Sequence, residues 1–347
     1  MDVGGWPHVL GRLAGRRDLT PEECTAALAD ILEGSATSAQ IAGFVLGLRI
    51  KGESVEEMTA LVRTMLDYAE RVPLPAGIDA VDTCGTGGDR SHTINVSSIA
   101  ALVVAGAGAP VCKHGNRAAS SACGSADVLE ALGVVIDLAA ADVVRCVEDV
   151  GMGFCFAPRF HAALRHAGPT RRELGVPTVL NFLGPLANPA GVHRQVVGVS
   201  DPAMAETMIG VLRANGAERA LIVYGHDGLD ELTTTTTSTV LELRDGVVRT
   251  YVVDPAELGM RHASADDLRG ADAAHNAERA RGVLAGERGA HRDIVLLNAA
   301  AGIVAAGVAD DLAAGVDAAA ASVDAGRAAA VLDRLVDATR SLAAASA

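Results

Sequence analysis

Aromatic residues are scarce in this chain of 347 residues, at 3% of the total. An all-β sandwich fills its core with bulky aromatic and β-branched side chains, so that architecture is disfavoured. The apolar half of the composition is mainly Ala, Val and Leu, and 38 Gly are spread through the chain. This mixture favours closely packed helices and parallel strands joined by glycine turns.

Positive charge is also in short supply. The chain has 29 Lys and Arg against 43 Asp and Glu, which gives a formal net charge of −14. A protein that binds nucleic acid generally needs a basic surface to match the phosphate charge, so that class is disfavoured. An acidic substrate would have to be held by local positive charge, backbone N–H groups or a bridging metal.

Motifs for disulfides, zinc and membranes are missing as well. The six cysteines form no CxxC pair and have no histidine cluster at zinc-ligand spacing, so we expect buried free thiols in a reducing compartment. Residues 1–18 lack the apolar core of a signal peptide. The longest apolar run, residues 99–112, is broken by glycines and is too short to span a bilayer. We therefore expect a soluble, cytoplasmic protein.

Residues 1–72 show helical patterns only, which predicts a small helical domain. Thr20-Pro21, with Glu23 three residues after the threonine, is a helix-start signal that combines an N-cap, a proline at the first position and a capping box. A second segment, near residues 170–190, is interrupted by several Pro and Gly and is predicted to pass back to this helical domain.

Residues 71–77 contain two prolines and a glycine, which forbid a continuing helix. We predict that residues 72–78 form a hinge, at which the helical domain closes over a bound substrate.

Residues 79–347 alternate short apolar strands with helices. Strands are predicted near residues 80–84, 109–113, 134–136, 153–156, 196–198 and 220–224. Such alternation implies a mostly parallel sheet that is covered on both faces. The predicted fold class is therefore α/β, with a small N-terminal helical domain and a larger α/β domain around a mostly parallel central sheet.

Ligands of parallel α/β sheets bind beyond the carboxyl ends of the strands, and four loops in such positions carry polar residues. The first, residues 82–89, has three glycines in four positions, Gly85, Gly87 and Gly88. Their N–H groups can form a nest for phosphate, although the motif is neither a Walker loop nor GxGxxG. An ordinary glycine turn is the alternative.

Polar side chains also follow this loop, at Thr93, Asn95, Ser97 and Ser98. They place hydroxyls and an amide at the start of a helix, where oxygens can meet phosphate or a hard cation. Plain N-capping by Ser97 or Ser98 would explain two of them equally well.

The second loop, residues 113–125, brings together two cations, two glycines and three serines. A solvated surface loop could hold the same residues. The preceding strand is apolar and the following run is rich in Ala, however, so we expect this loop to be fixed at the site.

The third and fourth loops carry opposite charge. In residues 165–173, an arginine could pair bidentately with a substrate carboxylate, or simply belong to the charged face of a surface helix. In residues 226–232, Asp230 and Glu231 could bind Mg²⁺ that bridges to pyrophosphate oxygens, although acidic loops are common. The threonine run at residues 233–237 is predicted to enter a strand.

In their order along the chain, these motifs resemble the anthranilate phosphoribosyltransferases, which are nucleoside-phosphorylase-like enzymes. The motifs are GTGGD (85–89), NVSS (95–98), KHGNRAASS (113–121), GPTRRELG (168–175), NFLGPLANP (181–189) and GLDEL (228–232). The helical segments 36–42 and 49–53 match too, so the resemblance covers nearly the whole chain. One such motif would say little, but the ordered combination is specific.

The resemblance implies transfer of the 5-phosphoribosyl group from phosphoribosyl pyrophosphate (PRPP) to the amine of anthranilate. The products are N-(5-phosphoribosyl)anthranilate and pyrophosphate, in tryptophan biosynthesis. It further implies a Mg²⁺ cofactor, with about two ions per subunit, and a homodimer packed through the helical domain. Because an aromatic amine is already nucleophilic, no residue is expected to act as a covalent nucleophile, and Lys113 and His114 are expected to support catalysis.

The resemblance also assigns residues. The PRPP positions are Gly85, Gly88, Asp89, Thr93, Asn95, Val96, Ser97, Ser98, Lys113, His114, Gly115, Asn116, Arg117, Ala118, Ala119, Ser120, Ser121 and Ser125. The metal positions are Ser97, Asp230 and Glu231, and the anthranilate positions are Gly85, Asn116 and Arg171.

The chain departs from the family pattern in three places. Ser97-Ser98 replaces the usual Ser-Thr, which keeps a hydroxyl, and residues 90–92 are more polar than expected. Residues 269–272 replace the usual Gly-Gly ahead of Asn276-Ala277, which either loosens a turn on the pyrophosphate side or only decorates it.

Two other functions remain open at this point. A pyrimidine-nucleoside phosphorylase shares the architecture but carries Lys-His-Ser-Thr-Gly-Gly in its phosphate loop, whereas Asp82-Thr83-Cys84 precedes Gly85 here. A nucleic-acid-binding relative without enzymatic activity would lose Arg171 and gain a basic face. A dedicated natural-product pathway is the alternative to tryptophan synthesis.

Overall fold

The computed structural model describes residues 4–118 and 122–346. Its helices are α1 (Gly5–Ala14), α2 (Pro21–Leu32), α3 (Ser38–Lys51), α4 (Val55–Asp67), α5 (Val96–Gly106), α6 (Ser125–Leu132), α7 (Ala140–Val150), α8 (Ala157–Phe160), α9 (Gly168–Leu174), α10 (Val179–Leu186), α11 (Ala205–Ala214), α12 (Ala273–Leu284), α13 (Ala290–Ala306), α14 (Leu312–Asp324) and α15 (Arg327–Ser346). Its strands are β1 (Val81–Gly85), β2 (Val111–Gly115), β3 (Met152–Phe156), β4 (Arg194–Gly198), β5 (Arg219–Gly225), β6 (Ser238–Arg244) and β7 (Val247–Val253).

The first helices begin where their capping residues predict. In α2, the Thr20 hydroxyl accepts a hydrogen bond from the Glu23 N–H (3.3 Å), and the Glu23 carboxylate accepts one from the Thr20 N–H (2.8 Å). Helices α3 and α4 begin with capping boxes of the same kind. Each such cap contributes about 1 kcal/mol and fixes the start of its helix.

The described strands form one seven-stranded sheet in the order β3-β2-β1-β4-β5-β6-β7. Neighbours from β3 to β5 are parallel, while β6 and β7 add an antiparallel edge. The prediction of an N-terminal helical domain followed by a larger domain with a mostly parallel sheet is confirmed. Because the strand order reverses next to β1, a ligand-binding crevice is expected there at the carboxyl ends of the strands.

The strand predicted near residues 134–136 is wrong. These residues follow the left-handed Gly133 (φ 104°), which ends α6, and have an irregular backbone. The Val135 N–H donates to the Thr339 hydroxyl of α15 (3.1 Å). The apolar run therefore packs under the C-terminal helix and does not belong to the sheet.

The hairpin of β6 and β7 is not among the predicted elements. Its turn is Asp245-Gly246, with φ 53° and 76°. An Asp-Gly pair between two apolar strands is a strong hairpin signal, so the sequence does contain the information. The threonine run at residues 233–237 has a bent, irregular backbone, and β6 begins only at Ser238, so this run precedes the strand.

The two faces of the sheet pack against different helices. On one face, α5 and the C-terminal helices α12–α15 form a core that includes Val81 and Ile294. On the other face, α10 and α11 pack together with the N-terminal helices, and Leu28, Val197 and Ile222 belong to the same core. The helical domain and the sheet thus share apolar packing on this second face.

Helices α9 and α10 lie against α3 of the helical domain. The Arg49 guanidinium of α3 lies 5.0 Å from the ring centre of Phe182 in α10 and pairs with Asp201. The segment after α4 is tied down as well, since the Val72 N–H donates to the Pro189 carbonyl (3.1 Å). A hinge at residues 72–78 stays a prediction.

All six cysteines are buried, and none of them is in a disulfide, as predicted. Across residues 4–118 and 122–346, no helix is both long and apolar enough to cross a membrane.

Candidate active site

The glycine loop between β1 and α5 is held from the end of β4. The Thr86 N–H donates to the Gly198 carbonyl (2.9 Å), and the Ser200 hydroxyl donates to the Gly87 carbonyl (2.8 Å). Gly87 and Gly88 have φ 67° and 87°, a region that residues with a Cβ rarely adopt. The predicted phosphate nest therefore depends on glycine at these two positions.

Asp230, a predicted metal ligand, lies directly against this loop. Its carboxylate accepts a hydrogen bond from the Gly87 N–H (2.7 Å). A Cβ on Gly85 would lie 2.4 Å from Asp230 Oδ2, and one on Gly198 would lie 1.6 Å from the Asp230 carbonyl oxygen. The glycines that end β1 and β4 thus let the loop after β5 reach the crevice.

Three carboxyl groups gather at this point. Burial and the charge of Asp89 raise the pKa of Asp230 to about 7, although the Gly87 N–H opposes the rise. Burial and the charge of Asp230 raise the pKa of Glu231 well above its usual range, while Lys113 lowers it. Negative charge is costly here, and a bound cation would relieve that cost.

The described side chains do not make a complete metal centre by themselves. In the ranges 4–118 and 122–346, no group of three or more His, Cys, Asp or Glu is arranged to hold an ion. Magnesium is often held by only one or two carboxylates, with substrate phosphates completing its shell. Asp230 and Glu231 fit that pattern, and the Ser97 N–H donates to Glu231 (3.2 Å), which brings the third predicted ligand alongside.

Lys113 is completely buried. Its ammonium group donates to the Thr83 carbonyl and lies 3.4 Å from the Ser97 hydroxyl. Burial raises the pKa values of Asp82 and Glu231, and the Lys113 charge lowers both. In this geometry Lys113 stabilises buried carboxylates beneath the site, and its direct contact with pyrophosphate stays a prediction.

The predicted residues at the start of α5 differ in exposure. Val96 is a core residue and Ser98 is buried, whereas Thr93, Asn95 and Ser97 are only partly buried. The Ser98 hydroxyl has no hydrogen-bond partner within the described parts of the chain.

Asn95 connects two loops to the C-terminal region. Its side-chain amide donates to the Cys123 carbonyl (3.0 Å), and its side-chain carbonyl accepts a hydrogen bond from Asn276 of α12 (2.9 Å). Because both ends of the Asn95 amide are engaged, this residue links the loops after β1 and β2.

The departure at residues 269–272 packs against the loop after β1. Thr93 and Arg269 form an isolated antiparallel bridge, and the Gly270 N–H donates to the His92 carbonyl (2.8 Å). A Cβ on Gly270 would lie 2.6 Å from the Thr93 carbonyl oxygen. The one glycine that the chain keeps here is the one at the close contact, so the turn is tied to the loop by its backbone.

In the loop after β2, the predicted residues Asn116 and Arg117 make contacts within the loop and with α6. The Asn116 side-chain carbonyl accepts a hydrogen bond from the Arg117 N–H (2.7 Å). The Arg117 guanidinium pairs with Asp127 (2.9 Å) and Glu130 and lies 5.5 Å from the ring centre of Phe156. Arg117 is therefore held towards α6 by two carboxylates.

The base of this loop is tightly packed. A Cβ on Gly115 would lie 3.0 Å from the Ser125 Cβ, so the end of β2 touches the start of α6. Ala118 is the last residue described before the gap. The predicted PRPP residues Ala119, Ser120 and Ser121 lie outside the described residues.

His114 is buried beside α10. Its Nδ1 lies 3.1 Å from the Gly184 carbonyl, which can only accept, so Nδ1 carries the proton. Burial lowers the pKa of His114 to about 3, with a contribution from His161, so the ring is neutral. Nε2 is then an acceptor, and it is buried without a partner among the described residues.

Arg171 lies on α9, and burial lowers the pKa of its guanidinium. Within residues 4–118 and 122–346, its side chain pairs with no carboxylate, and no hydrogen bond joins it to the loops after β1, β2 or β5. A partly buried guanidinium without a carboxylate partner favours binding of an anionic group.

Several residues that shape the site were not among the predicted functional positions. Asn188 donates to Asp82 (2.9 Å) and to the Cys112 carbonyl (2.8 Å), and so ties β1 to β2. Asp127, Gly198 and Asn276 also belong to this group. Asp127 stands three residues after Gly124, which is a helix-cap spacing. Asn188 lies in the motif at residues 181–189 and Asn276 in the Asn276-Ala277 pair, but no local pattern indicates which groups they contact.

Known proteins match the chain over almost its whole length. A model of the a/b domain of the glycosyl transferase family matches residues 77–329, and a model of the helical bundle domain of that family matches residues 7–69. An anthranilate phosphoribosyltransferase of Acidothermus cellulolyticus is 54% identical over 346 residues, which cover 98% of this chain and 97% of that protein. The chain belongs to the anthranilate phosphoribosyltransferase family. The predicted family is thereby confirmed.

Solved structures of anthranilate phosphoribosyltransferases agree. The enzyme of Thermus thermophilus superposes with a TM-score of 0.90 at 39% identity, covering 96% of this chain and 99% of that one. The enzyme of Saccharomyces cerevisiae in complex with PRPP and Mg gives 0.90 at 26% identity, covering 98% and 99%. The function is that of an anthranilate phosphoribosyltransferase, which catalyses a step of tryptophan biosynthesis. Neither the phosphorylase nor the nucleic-acid-binding alternative gains support.

Proposed function

We propose that the reaction depends on magnesium and takes place at the carboxyl ends of β1, β2 and β5. The observation that carries this proposal is the group of carboxyls around Asp230, which lies against the glycine loop at the Gly87 N–H. A phosphate nest beside buried carboxylates suits a phosphorylated substrate that arrives with a cation.

On the donor side, the metal would be held by Asp230, Glu231 and Ser97. We expect about two Mg²⁺ ions per subunit. When bound, the ion supplies positive charge to the pyrophosphate oxygens that leave. The neighbouring N–H groups of the glycine loop would donate to phosphate oxygens, and the charge of Lys113 offsets part of the rise that burial causes in the pKa values of Asp82 and Glu231. The presence of PRPP and Mg in the Saccharomyces cerevisiae enzyme supports this arrangement.

On the acceptor side, we assign the anthranilate carboxylate to Arg171, whose guanidinium has no carboxylate partner in the described chain. Asn116 and Gly85 would contact the amine end of the ring. The Nε2 of His114 is a neutral acceptor that suits an amine N–H, so His114 orients the amine and does not act as a general base.

The reaction breaks the bond between C1 of the ribose and the pyrophosphate oxygen, and forms a bond between C1 and the anthranilate nitrogen. Pyrophosphate leaves with the bonding electron pair, and the amine proton passes to the departing pyrophosphate or to solvent. Positive charge develops on the sugar ring, so the enzyme gains most by stabilising the leaving group and by holding the amine near C1. No covalent enzyme intermediate is needed.

We further propose that the chain forms a homodimer through its helical domain and acts in the cytoplasm. Both proposals come from the family resemblance and from the sequence. Light scattering of the purified protein would measure its mass and test the dimer.

The proposed reaction is tested with purified protein, PRPP, Mg²⁺ and anthranilate, by following the loss of anthranilate fluorescence. Activity should require all three components, stop on chelation and return when Mg²⁺ is restored. Undiminished turnover after chelation would contradict the metal requirement. Phosphorolysis of thymidine without any reaction of anthranilate would contradict the assignment of substrates.

A further inference from the structure

The loop after β2 is closed at its base. The Ala126 N–H donates to the Asn116 carbonyl (3.1 Å), which joins the two chain segments that enter and leave the loop. Gly124 lies so close to the opposite segment that a Cβ would sit 2.3 Å from the Ala118 nitrogen and 2.8 Å from the Asn116 carbonyl oxygen. The two segments form a neck, defined here as residues 116–118 and 124–126.

Asp127 connects both sides of this neck. Its Oδ2 accepts hydrogen bonds from the Ala118 N–H (3.0 Å) and from the Gly124 N–H (2.8 Å). Its Oδ1 accepts one from the Arg117 guanidinium (2.9 Å). Burial alone would raise the pKa of Asp127, but the two N–H groups and Arg117 lower it overall, so the carboxylate is ionised.

We propose that Asp127 is a positioning residue for PRPP, because its carboxylate fixes the neck, in which Asn116, Arg117, Ala118 and Ser125 are predicted PRPP positions. This inference rests on the proposed function of the loop after β2. Binding groups that the neck already holds in place lose less conformational entropy when phosphate binds, so the same contacts give tighter binding. Asp127 itself need not touch the substrate.

An ordinary helix cap accounts for only part of this geometry. The bond from Gly124 to Asp127 is the usual side-chain contact at the start of α6. The bonds from Ala118 and Arg117 come from outside the helix and contribute nothing to capping it. These two contacts are what a positioning role requires and a capping role does not.

The test compares Asp127→Asn with Glu130→Gln. Asp127→Asn keeps the size of the side chain but replaces one acceptor oxygen with a donor and removes the charge. Glu130→Gln removes the other carboxylate that pairs with Arg117 and leaves the neck bonds intact. Each variant is measured for the KM values of both substrates at saturating Mg²⁺, for direct PRPP binding by calorimetry, and for Tm.

For Asp127→Asn we expect the KM and Kd for PRPP to rise about tenfold, which matches the loss of a hydrogen bond to a charged group, with the KM for anthranilate unchanged. Glu130→Gln should change the PRPP values by less than about twofold. If Asp127→Asn does not fold, Asp127→Ser, which retains a capping hydroxyl but cannot reach both N–H groups, should show the same PRPP-specific effect.

Equal rises in both KM values, or a loss of Tm with normal PRPP binding, would reduce Asp127 to a structural cap. If Glu130→Gln raised the KM and Kd for PRPP as much as Asp127→Asn, PRPP binding would depend on the charge around Arg117 and not on the neck. An inactive wild-type protein would contradict the proposed function itself, whereas an active wild type with an unaffected Asp127→Asn would contradict only the positioning role.

Discussion

The donor half of the site, formed by the loops after β1, β2 and β5, differs from the acceptor half, formed by His114 and Arg171. In the donor half the polar groups are bonded to one another: Asp230 to the Gly87 N–H, and Glu231 to the Ser97 N–H. In the acceptor half, His114 Nε2 has no partner within the described chain, and the Arg171 guanidinium has no carboxylate.

The two halves therefore differ in how their polar groups are held before a substrate binds. The donor half is organised by contacts within the protein, so its geometry exists before a ligand arrives. Among the described residues, the acceptor half leaves a neutral acceptor without a hydrogen-bond partner and a guanidinium without a carboxylate, and a ligand with a carboxylate and an amine would supply both. Substitutions in the first half should therefore disturb geometry, and those in the second half should disturb the affinity for one substrate.

The largest effect is expected for Asp230→Ala/Glu231→Ala. Turnover should fall by at least about a thousandfold at any Mg²⁺ concentration, because the protein part of the metal site is removed. Steady-state rates over a Mg²⁺ titration measure this. Asp245→Ala, in the exposed turn of the β6–β7 hairpin, should keep the turnover and the Mg²⁺ dependence of the wild type. Full activity in the double variant would show that the donor half is not a metal site.

Arg171→Ala should act on one substrate only. We expect the KM for anthranilate to rise roughly a hundredfold, through loss of a charge-assisted contact of about 2–3 kcal/mol, with little change in the KM for PRPP. The neighbouring Arg172→Ala, on the exposed side of α9, is the matched control. Equal changes in both KM values would remove the distinction between the two halves.

Gly85→Ala should disturb the donor half by steric conflict. The new Cβ would lie 2.4 Å from Asp230 Oδ2, so the carboxylate has to leave its rotamer. A displaced rotamer costs about 0.5–1.5 kcal/mol, which predicts a loss in kcat of roughly tenfold at most and a raised requirement for Mg²⁺. Gly11→Ala in α1, where a Cβ meets nothing within 4 Å, should leave kcat unchanged. An unchanged Mg²⁺ requirement in Gly85→Ala would argue against a preformed donor half.

The last expected effect is on stability and not on turnover, and it concerns the neutral ring of His114. Its pKa is about 3 in the folded protein, below the unfolded value of about 6.5, so the unfolded state binds more protons as the pH falls below 6.5. Between pH 7 and pH 5 the wild type should lose about 2 kcal/mol more free energy of unfolding than His114→Gln. Urea denaturation at the two pH values measures this, and parallel losses would mean that His114 is not held neutral.

The sequence by itself determined the features that depend on neighbours in the chain. The capping box at Thr20 and the glycines of the loop after β1 have purely local causes, and the alternation of strands and helices implies a parallel sheet. The Asp245-Gly246 turn was equally readable. The ordered motifs were enough to identify the family, because several loops must agree at once.

Only the tertiary structure decided which groups meet. The apolar pattern of residues 134–136 predicts a strand, but α15, far along the chain, covers these residues outside the sheet. Three features depend on segments that folding brings together. They are the burial of Lys113, the space that Gly198 leaves for Asp230, and the hydrogen bond from the Ala118 N–H to Asp127. Hydrogen bonds and charges act between groups that lie within a few ångströms in space. Sequence patterns indicate only the contacts between residues that are also close along the chain.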